Sequence, residues 1–352
     1  MSETDPIRRA LVIKLRHHGD VLLTSPLFRA LRHHRPGIEI DALVYEETTP
    51  MLEGHPDITR IHTIRRSAEG GGLRGELELV GQLRARRYDL LIHLTESWRG
   101  ALLSRLLKPR IAVTARWPRR RGSRFWSGSF THHYPQPARL RHVVEKHLDA
   151  LRCIGIHPAP HERGLLLVPG QAAEDSVNRL LDREGLRGQP FIHFHPTSRW
   201  LFKCWRTDHC SRFIALLQQR GYRVVVTAAP DRAELERVRA ILDPLSEPVV
   251  DLSGELSLKE LAALIGHARC FVGMDSVPMH MAAAMGTPTV ALFGPSGDQE
   301  WGPWMVPHRV ITTPLSCRPC GLDGCAGSKI SDCLDRIQPE AVLAAVEELI
   351  GS

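Results

Sequence analysis

The chain has 352 residues, 43% of them hydrophobic and 24% charged, with a formal net charge of +7. That length is more than one compact core usually spans, so two domains of an ordinary globular type are expected. No apolar run approaches the ~20 residues of a bilayer-crossing helix. The first residues, "MSETDPIRRALVIKLRHHGD", lack the charged, apolar and cleavage regions of a secretory signal, which makes the cytoplasm the expected compartment.

Apolar strands alternate with helical patterns along the whole chain. "ALVIKL" (10–15) reads as a buried strand, with a helix near 20–34 after it. "EIDALV" (39–44), "ITRIHTI" (58–64), "DLLIHL" (89–94) and "RIAVT" (110–114) continue the series, and the intervals between them are long enough for crossovers. A helix near 143–154 precedes "GIHPAPHERG", whose Pro, Gly and His content marks a linker. The pattern then restarts with strands at 190–195, 223–228, 248–252, 270–274 and 289–293 and helices near 207–220, 231–242, after Ser257 and near 276–285. A last helix carries Pro339 in its first turn. This is the signature of an α/β fold with two parallel, doubly wound sheets. Two such domains facing one another would leave a cleft at the carboxyl ends of their strands, where ligands bind in this class of fold. Loops that follow strands are therefore the places to search.

In the first of them, "RHHGDVLLTSP" (16–26), Asp20 stands near a helix start, either as an N-cap or as a carboxylate available as a general base. "HPTSRWLFKCW" (195–205) offers the Thr197 and Ser198 hydroxyls and the point charge of Lys203. "GMDSVPMHMAAAMGTPTVALFGPS" (273–296) places Asp275 as an N-cap. The helix start behind it has free N–H groups suited to an anion, and Ser276 and His280 share one face. No G-x-G-x-x-G pattern follows the first strand, which argues against an NAD-dependent oxidoreductase.

The positive charge is unevenly placed. From Glu96 to Glu145 there is no acid between, while ten arginines and one lysine are present, densest in "RWPRRRGSRFW" (116–126). Such a surface suits phosphate, an anionic headgroup or nucleic acid, and Trp117 and Trp126 beside the arginines suit a membrane boundary. Cys153, Cys204, Cys210 and Cys270 are scattered and expected to be reduced and buried. Cys317, Cys320, Cys325 and Cys333 have the look of a zinc knuckle with irregular spacing; a structural metal, a redox pair and an inert loop all fit.

Together, "VIKLRHHGDVLLTSPLFRAL", "KCW" after a Thr-Ser pair, "DSVPMHMAAAMGTPTVALFGPS" and the cysteine tail resemble the bacterial heptosyltransferases of glycosyltransferase family 9, most nearly the type III enzymes. The resemblance implies a GT-B fold: residues 1–160 as an acceptor-binding domain, 161–335 as a nucleotide-sugar domain, and 336–352 as a helix packing back on the first domain. It implies inverting transfer of heptose from ADP-heptose to an inner-core heptose of lipopolysaccharide, with no cofactor and no catalytic metal. It also implies peripheral contact with the cytoplasmic face of the inner membrane. By resemblance Asp20 is the general base and Lys203 the donor-phosphate lysine. Thr197, Ser198, Asp275, Ser276, Val277 and His280 line the donor site, and Asp231 is a looser match for a ribose-contacting acid. Val277 stands where the family commonly has glycine, with Pro278 behind it. Arg116, Arg119, Arg120, Arg121 and Arg124 would meet the anionic acceptor. Type I or II heptosyltransferase activity on another core acceptor is the alternative. A non-catalytic nucleotide- or nucleic-acid-binding protein is the rival from another class, disfavoured by the absence of aromatic-rich RNA motifs.

Overall fold

The computed structural model describes residues 7–66, 72–136 and 141–351, the side chains of residues 73 and 74 excepted. The chain divides into two compact units, residues 1–168 and 169–352.

The first unit holds strands β1 (Arg9–Ile13), β2 (Glu39–Tyr45), β3 (Arg60–Ile64), β4 (Leu90–His93), β5 (Ile111–Ala115) and β6 (His132–Tyr134). Its helices are α1 (His18–Leu22), α2 (Ser25–His34), α3 (Gly72–Arg86), α4 (Trp98–Leu107), α5 (Arg124–Ser127) and α6 (Val143–Arg152). The strands form one six-stranded sheet in the order β3-β2-β1-β4-β5-β6, every pair parallel. The order reverses between β1 and β4, which makes that junction the topological switch point. The helix expected over 20–34 is two helices. Pro26 sits in the first turn of α2, where its fixed φ and missing N–H do no harm, and the chain restarts there. Asp41 on β2 is wholly buried: it accepts hydrogen bonds from Arg86 (2.8 Å) and Tyr88 (2.6 Å) and contacts His62 (3.2 Å). Those partners outweigh its burial and hold its carboxyl down at about 2.

The second unit holds β7 (Phe191–His195), β8 (Arg223–Val226), β9 (Val250–Asp251), β10 (Cys270–Met274), β11 (Thr289–Leu292) and β12 (His308–Ile311). Its helices are α7 (Gln171–Arg183), α8 (Thr207–Gln219), α9 (Arg232–Leu242), α10 (Leu258–His267), α11 (Val277–Met285), α12 (Asp298–Trp301), α13 (Asp332–Asp335) and α14 (Pro339–Gly351). Its sheet, β12-β11-β10-β7-β8-β9, is also six-stranded and parallel, with the switch point between β7 and β10. Ile192, Phe194, Val272 and Leu292 are fully buried, because helices cover both faces of a doubly wound sheet.

Three details of organisation stand out. The boundary falls after Val168 rather than near 160. The "GIHPAPHERG" segment does not behave as a free linker: buried Glu162 bonds His33, His34 and the Ala159 amide, tying the segment to the end of α2. Beyond it Leu165 and Leu167 are buried, and the Leu166 N–H donates to Ser25 Oγ at 3.0 Å. The closing helix α14 joins the core of the second unit. Val342, Leu343 and Val346 of α14 pack with α8 and the sheet, and Trp205 Nε1 donates to the Ile337 carbonyl at 3.1 Å just before it.

Candidate active site

At the first switch point, β1 runs into the loop that carries Asp20. This residue is not a cap. His17 holds the N-cap position of α1, and Asp20 lies within the first turn with its carboxylate 3.4 Å from Lys14 Nζ. Lys14 ends the apolar run of β1 and is buried, while Asp20 keeps 19% of its side chain exposed. The Lys14 ammonium also lies 3.0 Å from His147 Nε2 on α6 and 3.5 Å from the Leu94 carbonyl after β4. His147 Nδ1 is 3.0 Å from the Leu23 carbonyl, an acceptor only, so Nδ1 carries the proton and Nε2 accepts from Lys14. Burial lowers the pKa of both Lys14 and His147, and Asp20 pulls that of Lys14 back up. The result is a carboxylate held in place by a cation that is itself gripped from two other elements.

Lys14→Met is therefore expected to lower the melting temperature, because it leaves the buried His147 Nε2 without its donor and the largely buried Asp20 carboxylate without its cation. Turnover should fall by roughly tenfold or more, since the charge-assisted bond that orients the carboxylate is gone. Melting curves beside initial rates test this; an unchanged rate would remove Lys14 from the site.

The second switch point joins the loops after β7 and β10. Lys203, from the first of these, donates to Asp275 Oδ2 at 2.6 Å, from the second. The Lys203 side chain remains 23% exposed and that of Asp275 9%. Asp275 was expected to cap α11; Ser276 occupies that position instead, without a side-chain cap, and its hydroxyl turns to the Met274 carbonyl at 3.4 Å. The first-turn amides of α11, Val277 and Met279 among them, thus receive no side-chain acceptor from the cap, and Pro278 between them supplies no N–H. His280 lies one turn in and is buried.

From β7 into the loop after it runs a buried polar chain of which the sequence reading names Thr197 alone. His193 and His195 are both on β7, and each contacts Thr227 Oγ1, at 2.6 and 2.9 Å. Thr197 Oγ1 donates to Glu234 on α9 at 2.6 Å. Burial pushes the two imidazoles down to about 3 and about 4, so both are neutral at physiological pH. The signal was present in "FIHFH", where histidine alternates with apolar residues on a strand. Ser198 is buried as well, its hydroxyl accepting from the Trp200 amide at 3.4 Å.

The profile of glycosyltransferase family 9 (heptosyltransferase) matches residues 77–330. This chain belongs to that family. Lipopolysaccharide heptosyltransferase 3 of Escherichia coli (strain K12) is 38% identical to it over 298 residues, covering 82% of this chain and 83% of the relative. A family 9 glycosyltransferase of Veillonella parvula DSM 2008 superposes with a TM-score of 0.83 at 22% identity, covering 98% of this chain and 97% of that one. The E. coli ADP-heptose lipopolysaccharide heptosyltransferase II gives 0.77 at 23%, covering 97% and 98%. At those identities the two structures speak to the fold, two parallel sheets of the GT-B type.

Within this family 9 chain, several expected site residues also make structural contacts. Asp231 is the N-cap of α9, accepting from the Ala233 and Glu234 amides at 3.0 and 3.2 Å. The D-x-x-E pattern in "APDRAELE" already spells that cap, and it is Glu234, not Asp231, that contacts Thr197. Arg120 is also committed. It donates to the Glu96 carbonyl at 2.8 Å and lies over the Trp98 ring at 4.2 Å. Arg116, Arg119, Arg121 and Arg124 are exposed. Trp126, expected at a membrane boundary, is buried among His93, Trp98 and Phe130, and Trp117 is half-buried. Cys317, Cys320 and Cys325 are exposed and Cys333 is buried. Among the described residues no three of these thiols converge within ligand distance of one another; His33, His161 and Glu162 do. Glu162 already serves as hydrogen-bond acceptor there for the end of α2.

Proposed function

We propose that this protein is an inverting heptosyltransferase of type III. It would move L-glycero-D-manno-heptose from ADP-heptose to an inner-core heptose of lipopolysaccharide, at the cytoplasmic face of the inner membrane of a Gram-negative cell. The single observation that carries the reading is the placing of a lysine–aspartate pair at each switch point, in a chain 38% identical to a type III enzyme.

Asp20 is the general base. It takes the proton of the acceptor hydroxyl as that oxygen bonds to the anomeric carbon, on the face opposite the nucleotide. The bond from that carbon to the diphosphate oxygen breaks, and ADP leaves with the electron pair. Negative charge builds on the departing diphosphate, where Lys203 and the first-turn amides of α11 meet it. Thr197, Ser198, Ser276, Val277 and His280 shape the donor side. Asp275 orients Lys203 rather than touching phosphate, since two anions repel. Arg116, Arg119, Arg121 and Arg124 give the first unit its attraction for an anionic acceptor.

To test the reading, the protein is incubated with ADP-heptose and a series of core-truncated lipopolysaccharides. Mass spectrometry should show one heptose added to an acceptor that already carries inner-core heptose. Addition only to a heptose-free core would assign the chain to type I, and no addition to any acceptor would defeat the proposal.

A further inference from the structure

Helix α4 is amphipathic in an unusual sense. The face it buries is made of small residues, Gly100, Ala101 and Ser104, with Leu103 beside them. Gly100 is required there: a Cβ would collide with the His93 ring. The large apolar side chains point outward instead. Trp98, Leu102 and Leu106 follow the i, i+4, i+8 spacing of one stripe and are 47%, 50% and 36% exposed. Phe125 of α5, 42% exposed, lies 6.0 Å from the Trp98 ring and extends the patch. A contiguous exposed apolar patch of this kind marks a surface built to be covered.

What surrounds the patch indicates what covers it. Arg105 lies over the Phe125 ring at 4.5 Å, and Arg119, Arg121 and Arg124 stand exposed around the same short segment. The acids that bracket this stretch are already engaged. Glu96 has Arg120 at 3.8 Å, and Glu145 pairs with Arg141, Arg152 and Arg163. An aromatic and aliphatic stripe rimmed by arginines, with no acid in the intervening sequence, fits the boundary of an anionic bilayer: rings and aliphatic chains below the headgroups, guanidinium groups among the phosphates.

We infer that the exposed face of α4 and α5 docks the protein on anionic phospholipid headgroups, with Trp98, Leu102, Leu106 and Phe125 entering the interface. The inference rests on the proposed function in that the acceptor there is a lipid, but its test does not need turnover.

The full chain is sedimented with phosphatidylglycerol-containing vesicles and with purely zwitterionic ones. It should pellet with the first and not the second, and high salt should release it. The double variant Leu102→Asp, Leu106→Asp should lose vesicle binding by at least about a hundredfold, by placing charge where the chain enters the interface. Its melting temperature and its rate on a delipidated core acceptor should stay unchanged. Arg119→Ala, Arg121→Ala and Arg124→Ala combined should weaken binding on the order of a hundredfold. Failure of the wild type to pellet, or binding that survives the double aspartate variant, overturns the docking surface. So does light scattering that shows a dimer abolished by the same variant, since the face would then be covered by a second copy. Heptose transfer to the delipidated acceptor, measured separately, reports on the catalytic reading alone.

Discussion

Asp20→Asn is expected to lower kcat for heptose transfer by about a thousandfold while leaving ADP-heptose affinity within about twofold. The substitution keeps size and shape but removes the charge that accepts the hydroxyl proton. Lys14 makes the result interpretable. In the wild type its ammonium sits 3.4 Å from the carboxylate and 3.0 Å from His147 Nε2, which holds the carboxylate in one orientation. An amide at position 20 still accepts a hydrogen bond from Lys14, so the loop should keep its course, and a melting curve close to wild type checks that. Because the residues proposed to bind the donor lie in the second unit, equilibrium binding of the nucleotide sugar separates lost chemistry from lost binding. Turnover within tenfold of wild type would strip Asp20 of its role.

Lys203→Ala is the second large effect. Removing one preorganised group from the site of developing charge costs about a hundredfold to a thousandfold in rate. Lys203 is preorganised by Asp275 at 2.6 Å, and Asp275 is in turn fixed at the end of β10. The loss should appear in kcat and in donor affinity together, because a diphosphate is charged both before and during bond breaking. The conservative Lys203→Arg should recover only a small part of the rate: a planar fork engages Asp275 differently and is not a point charge aimed at phosphate. Steady-state kinetics with ADP-heptose varied, beside binding of ADP alone, give both numbers. An alanine variant that binds and turns over normally would refute the phosphate assignment.

Much of the architecture was legible because central parallel strands are buried on both faces and read as apolar runs. β1, β7 and β10 are of this kind. β6 ("HHY") and β12 ("HRVI") were not found, because edge strands carry polar residues and lack that run. The post-strand loops pointed to Asp20, Lys203 and Asp275, since a parallel sheet directs its functional groups to one end. The partners of Asp20 stayed hidden. Lys14 and His147 are 133 positions apart and sit inside apolar patterns, so nothing local marks them as a pair. A match by position also says nothing about which carboxylate caps a helix: Asp231 caps α9, while Glu234 accepts from Thr197. Trp126 was misread because composition cannot tell which of several aromatics turns inward, whereas the four-residue spacing of Trp98, Leu102 and Leu106 was readable in principle.

The two sheets share one winding, and each places a lysine–aspartate couple at its reversal, but the couples have opposite polarity toward solvent. In the first unit the ammonium is the sheltered member, 7% against 19%; in the second the carboxylate is, 9% against 23%. In each couple the sheltered member holds the more accessible one in place by an ion pair. The first unit thus turns a carboxylate toward solvent and the second an ammonium, the two groups that the proposed transfer asks for, one where a proton is released and one where negative charge collects.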